Sequence, residues 1–440
     1  MKRLILLNIC LFVFKISLAS AQAETCVKSE KVGLDLKKAV EMAIENNPRI
    51  IEAKESSSAA SHSLEATETL KIPKISAGYS LTQFDEQPYS SGSGMRIPVE
   101  DKTNFSWDIT AVQPIFTGFA ITSQCGIAGK NVEISRKNID LVIADSAFQA
   151  KNAFISRLLA EKLAGVSKDS VESLKAHERD ARKFFDQGMI PYSDVLKAQV
   201  GLASASHNLE NAMADLEISH QNLLLVINIP QNQDVELVDI KGLPDKPEWA
   251  VYDEKAAFES RPEMSILRLQ AEQIDHQIKL AESSLYPRVS LLGRYEQNGK
   301  DAGTTEHDYR NRFNSSVRLQ ADWTLFEGGR AIKEKNALKS QKRAVMQKIT
   351  GLENRIRLDL KESMARLRVA EANYKTASAA LSQAKENWRI TNLQFSQQMA
   401  TASDVLDARL FLSKTEGDFY RSMYGCHIAL AALARAQGRY

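Results

Sequence analysis

The chain is written twice, and this constrains its fold more than any single motif. Phe185, Met189 and the run Ser193-Asp194-Val195-Leu196 return as Phe395, Met399 and Ser403-Asp404-Val405-Leu406, about 210 positions downstream. Ile115-Phe116 with Gly118 returns as Leu325-Phe326 with Gly328 at the same offset, and Pro73-Lys74-Ile75 is answered by Pro287-Arg288-Val289. Pro48 of Asn46-Asn47-Pro48 likewise answers to Pro262 of Arg261-Pro262. Such a chain has duplicated one structural unit, and its task is one that two units perform together.

The N-terminus reads differently from the rest. Lys2 and Arg3 precede the apolar stretch from Leu4 to Val13, and small-residue cleavage sites follow at Ala19-Ser20-Ala21 and Ala21-Gln22-Ala23. Residues 1–21 are therefore expected to be a secretory signal peptide, although Lys15 interrupts its end. An N-terminal anchor helix would need a longer uncharged run. Export permits disulfides, yet once Cys10 leaves with the signal only Cys26, Cys125 and Cys426 remain, an odd number without metal-ligand spacing. They read as buried or half-buried thiols, with a Cys26–Cys426 bridge as the alternative. Ala23-Glu24-Thr25 before Cys26 is not a lipid-attachment sequence. A formal net charge of +2 argues against a nucleic-acid partner, which would need a strongly basic face.

Proline placement divides the mature chain. None occurs between Pro114 and Pro191, between Pro191 and Pro230, or after Pro287. These gaps are filled with strong helix formers, and apolar residues recur at helical spacing: Ile134, Leu141, Phe148 and Ile155 in the first, Leu196, Val200 and Ala203 in the second. A helix from about Phe119 to Phe184 would be roughly 100 Å long. Nothing globular is that wide, so it must be supported sideways by other long helices, and its many alanines permit close approach.

Four short segments alternate instead. Ile75, Ala77, Tyr79 and Leu81 oppose Ser76, Gly78, Ser80 and Thr82, while Phe105, Trp107, Ile109 and Ala111 oppose Ser106, Asp108 and Thr110. In the second repeat Val289, Leu291, Gly293 and Tyr295 oppose Ser290, Arg294 and Glu296, with Leu292 out of pattern. Val317, Leu319, Ala321 and Trp323 oppose Arg318, Gln320, Asp322 and Thr324. Period two means strands with one apolar and one polar face. Polar loops join each pair, Asp85 to Thr103 (with Ser91-Gly92-Ser93-Gly94) and Gln297 to Arg312. The expected organisation is a first repeat over 22–229, a connecting segment over 230–252 and a second repeat over 253–440, each repeat a helix, two strands and a long helical hairpin.

The strands fit either a soluble sheet packed on a helix or an outer-membrane barrel. Their length, alternation and terminal aromatics, together with export, favour the barrel. Four strands cannot close alone, and an open edge cannot sit in lipid. Several chains must then share a barrel, and three would give twelve strands around a channel.

Leu36-Lys37-Lys38-Ala39 through Asn46-Asn47-Pro48, Pro73, Gln113-Pro114-Ile115-Phe116 with Gly118, Phe185 with Gly188, and Arg261-Pro262-Glu263 occur in order with the two tip motifs. So do Leu325-Phe326-Glu327-Gly328-Gly329 and Ser403-Asp404-Val405-Leu406-Asp407-Ala408. In that order the chain resembles the TolC-type outer-membrane efflux proteins over essentially its whole mature length. The resemblance implies a mainly α fold with a membrane β-barrel: a homotrimer, a shared twelve-stranded barrel in outer-membrane lipid and a long periplasmic α-helical barrel. It implies a passive exit path for a tripartite efflux or type I secretion system, opened at its periplasmic end by a periplasmic adaptor and an inner-membrane transporter. Drug, protein and metal cargo are all compatible, since the pump selects it.

The helical pattern breaks at Asp186–Ser193 and Gln397–Ser403. Gly188 and Pro191 supply the first turn, and Ser193 and Ser403 are expected to cap the returning helices. By resemblance, both tips form the adaptor-docking surface. In the first repeat this involves Gly188, Met189, Ile190, Ser193, Asp194, Val195 and Leu196. In the second it involves Met399, Thr401, Ser403, Val405 and Leu406. Asp404 and Asp407, three apart on one helical face, are either a solvated face or, in a trimer, two acidic rings at the periplasmic entrance that favour cations. Repeat one has Lys197 in place of the second acid. Some relatives hold the entrance shut with an arginine where this chain has Ala400.

An enzyme is not expected, because there is no nucleophile elbow, phosphate loop or paired metal-binding histidines, and no cofactor is implied. His62, His177, His207, His220, His276, His307 and His427 are scattered and read as solvated helix positions. The remaining rival is a periplasmic coiled-coil adaptor or structural protein without channel activity. It explains the helices but not four amphipathic strands.

Overall fold

A computed structural model of the chain describes residues 33–439 apart from 93–94, 234, 241, 246, 248, 307 and 309–312. The signal-peptide reading of 1–21, and Cys26 with its alternative bridge, fall outside the described residues.

Each half runs through the same elements. The first has helices α1 (Leu36–Asn46) and α2 (Pro48–Glu68), then strands β1 (Lys74–Gln83) and β4 (Thr103–Phe116). It ends in the hairpin of α3 (Ala120–Asp186) and α4 (Tyr192–Ile227). Between β1 and β4 the stretch expected as a polar loop holds a short hairpin, β2 (Tyr89–Gly92) and β3 (Met95–Pro98). The second half has α5 (Glu254–Ser260), α6 (Pro262–Glu282), β5 (Arg288–Gly299), β6 (Phe313–Asp322), α7 (Arg330–Ser396) and α8 (Ala402–Ala436). The two long helices, α3 and α7, are each 67 residues, or roughly 100 Å.

Shorter helices line the long ones. Along α3, α4 packs on the half nearer the tip and α2 on the half nearer the sheet. Asn47 meets Ser146 at 3.1 Å, Ser57 meets Ser135 at 3.2 Å, and Cys125 meets the Thr67 carbonyl at 3.9 Å. The two prolines matched by the repeat both stand at the first turn of a helix, where a missing N–H costs nothing. The residues before them have diverged. Asn47 caps α2 through Arg49 N–H, whereas buried Arg261 donates Nε to the Ala436 carbonyl at 2.7 Å and so satisfies the end of α8.

The cores between helices are alanine-rich. Ala39, Ala43 and Ala150 are fully buried beside Phe154, Leu223, Ile227 and Tyr424. The connecting segment is irregular and tied to this layer. Leu34 and Leu237 form a lone parallel bridge, and the Asp239 carboxylate accepts from Tyr424 Oη and Lys162 Nζ, each at 2.7 Å. Burial pushes the Asp239 carboxyl up, but these two donors outweigh it and hold it below its ordinary value. Tyr424 is pushed up by burial and by that carboxylate.

The four long strands form one antiparallel sheet in the order β1-β4-β5-β6. Its register puts the expected apolar positions that it includes on one face: Tyr79 opposes Trp107, Ile109 opposes Tyr295, and Leu291 opposes Leu319. The other face carries Ser80, Ser106, Asp108, Arg294 and Glu296, where Arg294 lies 3.6 Å from Asp108 and 3.5 Å from Glu296. Leu292 remains on that polar face, as its position requires. Three strands depart from expectation, among them β5, which runs on to Gly299 into the loop expected from Gln297. β4 extends to Phe116 through a register shift after Pro114, where a proline without an N–H is tolerated. β6 stops at Asp322, and Trp323 instead donates Nε1 to the Leu285 carbonyl at 3.1 Å. No helix among the described residues is long and apolar enough to cross a membrane.

Candidate functional site

At the far end from the sheet, the two hairpins turn with one hydrogen-bond pattern. In the first, Gly188 N–H donates to Phe185 O and Met189 N–H to Phe184 O, both at 2.8 Å. In the second, Gln398 N–H donates to Phe395 O at 2.9 Å and Met399 N–H to Gln394 O at 2.8 Å. Each is a Schellman closure, whose turn residue must be left-handed. Gly188 has φ 73° and Gln398 has φ 64°, so the second tip places a side chain where glycine is favoured. The Gln398 amide then reaches across to Met189 Sδ at 2.9 Å and links the two tips.

The helix starts differ from expectation. Ser193 and Ser403 each lie one residue inside their helices and do not cap them. Pro191 precedes α4 with no side-chain cap, since its fixed φ already suits the entry. α8 is capped by Thr401: Asp404 N–H donates to Thr401 Oγ1 at 3.2 Å, and the Asp404 carboxylate accepts from Thr401 N–H at 2.8 Å. This is a capping box, with aspartate in the reciprocal position. The Thr401 main-chain N–H, joined by the Thr401 hydroxyl, holds the Asp404 carboxyl below its ordinary value.

The tips share a core. Ala181, Ala198, Phe395, Ala402 and Val405 are buried together, with Phe184, Ile190, Trp388 and Ala400 packed against them. Val195 and Val405, at 1% and 0% exposure, belong to the interior and offer no docking surface. Ala400 is half-buried against this core. Met189, Leu196 and Met399 are exposed, whereas Ile190 and Leu406 are half-buried. Leu406 lies over α4, so close to Gly201 that an added Cβ there would meet its Cδ2 at 2.5 Å. Beside it an open groove of about 430 Å³ runs between α4 and α8, lined by Leu196, Val200 and Leu406, with Lys197 on one wall and Asp407 on the other.

Charge is distributed unequally. Asp194 is paired with Lys197 at 3.1 Å. Asp404 and Asp407 are exposed and, among the described residues, neither has a salt-bridge partner.

His177, expected to be solvated, is buried at 4% exposure with its ring edge-on to Phe395 at 4.5 Å, and neither ring nitrogen has a hydrogen-bond partner. Burial pushes its pKa down, against the pull of the Asp180 carboxylate and the Ala402 main chain. Nearby, buried Arg409 lies over the Trp388 ring at 5.6 Å with Nε and Nη2 unpartnered, and burial lowers its pKa too. Sequence reasoning missed both, because a single polar residue on a polar helix carries no periodic signal.

The chain matches the sequence profile described as outer membrane efflux protein over residues 39–228 and 255–439. It belongs to that family. The efflux protein is thus an outer-membrane channel with a large periplasmic helical part, and not an enzyme. No curated protein sequence matches it. Solved structures share its fold at low identity. CusC is 12% identical, with a TM-score of 0.81 and 96% of each chain covered. The Campylobacter jejuni outer-membrane channel CmeC is 15% identical, with a TM-score of 0.78, covering 92% of this chain and 85% of that one. Vibrio cholerae VceC is 13% identical, with a TM-score of 0.79, covering 92% and 96%. The rival reading, a periplasmic coiled-coil protein without channel activity, is set aside by the family and by the four strands joined in one sheet.

Proposed function

We propose that three copies assemble into one channel-tunnel that gives a passive exit path for a tripartite efflux or type I secretion system. The observation that carries this is the sheet: four strands, apolar on one face and polar on the other, with both edges free and long helices running from its base. A free edge in lipid demands partners, and copies of the same chain supply them. Three sheets close into a barrel with the polar faces turned to water.

The tips are the regulated end. A periplasmic adaptor hairpin docks with apolar side chains over Leu196, Val200 and Leu406, beside Lys197, with Met189 and Met399 at the rim. Asp404 and Asp407 of each copy ring the entrance and favour cations; their exposure, and the lack of a salt-bridge partner among the described residues, support this.

The test is conductance of the purified protein in planar bilayers, repeated with Asp404→Ala and Asp407→Ala. A cation-preferring conductance, blocked by trivalent cations only in the parent, is expected. Unchanged block would remove the acidic rings and leave the channel. Folded protein that never conducts would overturn the tunnel.

A further inference from the structure

After β5 the chain turns back and lies down on the apolar face of its own sheet. Phe105 opposes Gly299 and Trp107 opposes Gln297, so these residues share the face that carries Tyr79 and Tyr295. A Cβ added to Gly299 would meet Thr304 Cα at 2.4 Å and Glu306 O at 3.0 Å. Gln297 Nε2 donates to the Thr304 carbonyl at 3.1 Å. Farther across the same face, Tyr79 Oη donates to the Ala302 carbonyl at 2.9 Å. The loop that leaves β5 thus crosses β4 and ends on β1.

It is firmly held there. The Asp301 carboxylate accepts from Gly303 N–H at 3.2 Å, Thr305 N–H at 2.8 Å, Thr305 Oγ1 at 2.9 Å and Glu306 N–H at 2.8 Å. Lys300 N–H donates to Glu306 O at 2.8 Å, and Lys300 Nζ lies 3.0 Å from the Asp308 carboxylate. Thr304 is 1% exposed and left-handed at φ 51°, a conformation that a non-glycine keeps only where its surroundings fix it. The first repeat's loop is built otherwise. Its β2–β3 hairpin is a two-stranded sheet of its own, with Met95 and Ile97 exposed.

We propose that the β5–β6 loop is an outward-folded clasp, fixed over the lipid-facing rim at headgroup height and never over the bore. Covering the mouth is then left to the first repeat's loop. The inference rests on the shared-barrel reading, in which the apolar face meets lipid. Lys300, Asp301, Glu306 and Asp308 cannot stand in hydrocarbon, so the bilayer core must end short of them. Tyr79, Trp107 and Tyr295 lie next to the loop on that face, where amphipathic rings suit the headgroup level. Swinging inward would break the contacts with Gln297 and Tyr79 and lift Thr304 off Gly299.

The test uses full-length protein with Cys26, Cys125 and Cys426 replaced by alanine and conduction confirmed. Ala302→Cys should react with maleimide-linked polyethylene glycol added outside intact cells. In planar bilayers, that label should leave single-channel conductance within about 10% of the unlabelled value. Adding Asp301→Ala should free the loop, so that the same label lowers conductance or lengthens closures at least about twofold. Gly299→Ala should do likewise, and Asp301→Ala serves alone where that strand variant fails to assemble. A fluorophore on Ala302→Cys should be quenched by iodide in water and not by lipids with brominated chains, and one on Leu291→Cys the reverse. Block by the label without Asp301→Ala, or no difference with it, overturns the clasp while the channel reading stands. Quenching at Ala302→Cys by brominated chains, or no labelling there, overturns the headgroup placement. A parent that never conducts removes the barrel reading itself.

Discussion

At the first tip Gly188 takes the left-handed conformation and Lys197 neutralises Asp194. At the second, Gln398 takes the same conformation, Asp404 is drawn into the cap of α8, and Asp407 has no basic partner among the described residues. The main chain of the turn is one solution used twice, because the last carbonyls of α3 and α7 need the same donors. The side chains carry the difference. One tip is relaxed and locally neutral, and the other is strained and acidic. A duplicated unit can thus keep its geometry while only one copy bears an unpaired acidic pair among the described residues.

The largest test of this comparison is to make the first tip acidic. Lys197→Asp releases Asp194 and adds a second carboxylate, and should lower the trivalent-cation concentration that half-blocks conductance roughly three- to tenfold. No change would mean that the first tip lies away from the ion path.

His177 joins the tips through Phe395, and its pH dependence follows from burial. Its folded pKa lies below the ordinary value, so the unfolded state takes up the proton first as pH falls. Its contribution to stability is therefore complete well above about pH 6.5 and is lost on acidification through that range. The melting temperature should fall in that window, and His177→Leu should flatten the dependence. An unchanged slope would assign the pH effect elsewhere.

Exchanging the turn residues should have opposite signs. Gly188→Ala places a side chain at φ 73° and costs about 1 kcal/mol, while Gln398→Gly relieves the second tip by about the same amount. Urea denaturation of the two variants reads both. Equal signs would mean that the Gln398–Met189 contact outweighs the strain. The smallest effect concerns the caps. Thr401→Ala should destabilise by about 1 kcal/mol, and Ser193→Ala by less than about 0.5 kcal/mol. A larger loss at Ser193 would reinstate it as a cap.

Much of this molecule was readable from periodicity. The helix expected from about Phe119 to Phe184 spans Ala120–Asp186, and the alternation of Ile75, Ala77, Tyr79 and Leu81 carries over to the apolar face of one sheet. The misses share a cause. Ser193 and Ser403 were expected as caps from residue type alone, yet the cap falls where φ and ψ leave the helix, at Pro191 and Thr401. Val195 and Val405 sit in an exposed-looking motif but face the shared tip core, which depends on how one hairpin leans on the other. The β2–β3 hairpin arises in a stretch rich in Ser and Gly, where strand periodicity is weak.

By itself the sequence determined the duplication, the lengths of α3 and α7, the amphipathic strands and the positions of the tip motifs, because hydrophobic period and helix breakers are local properties. Only the tertiary structure decided the strand order, the burial of His177 and Arg409, and the groove between α4 and α8. These depend on contacts between residues up to hundreds of positions apart, and no local pattern encodes which side of a helix another helix will cover.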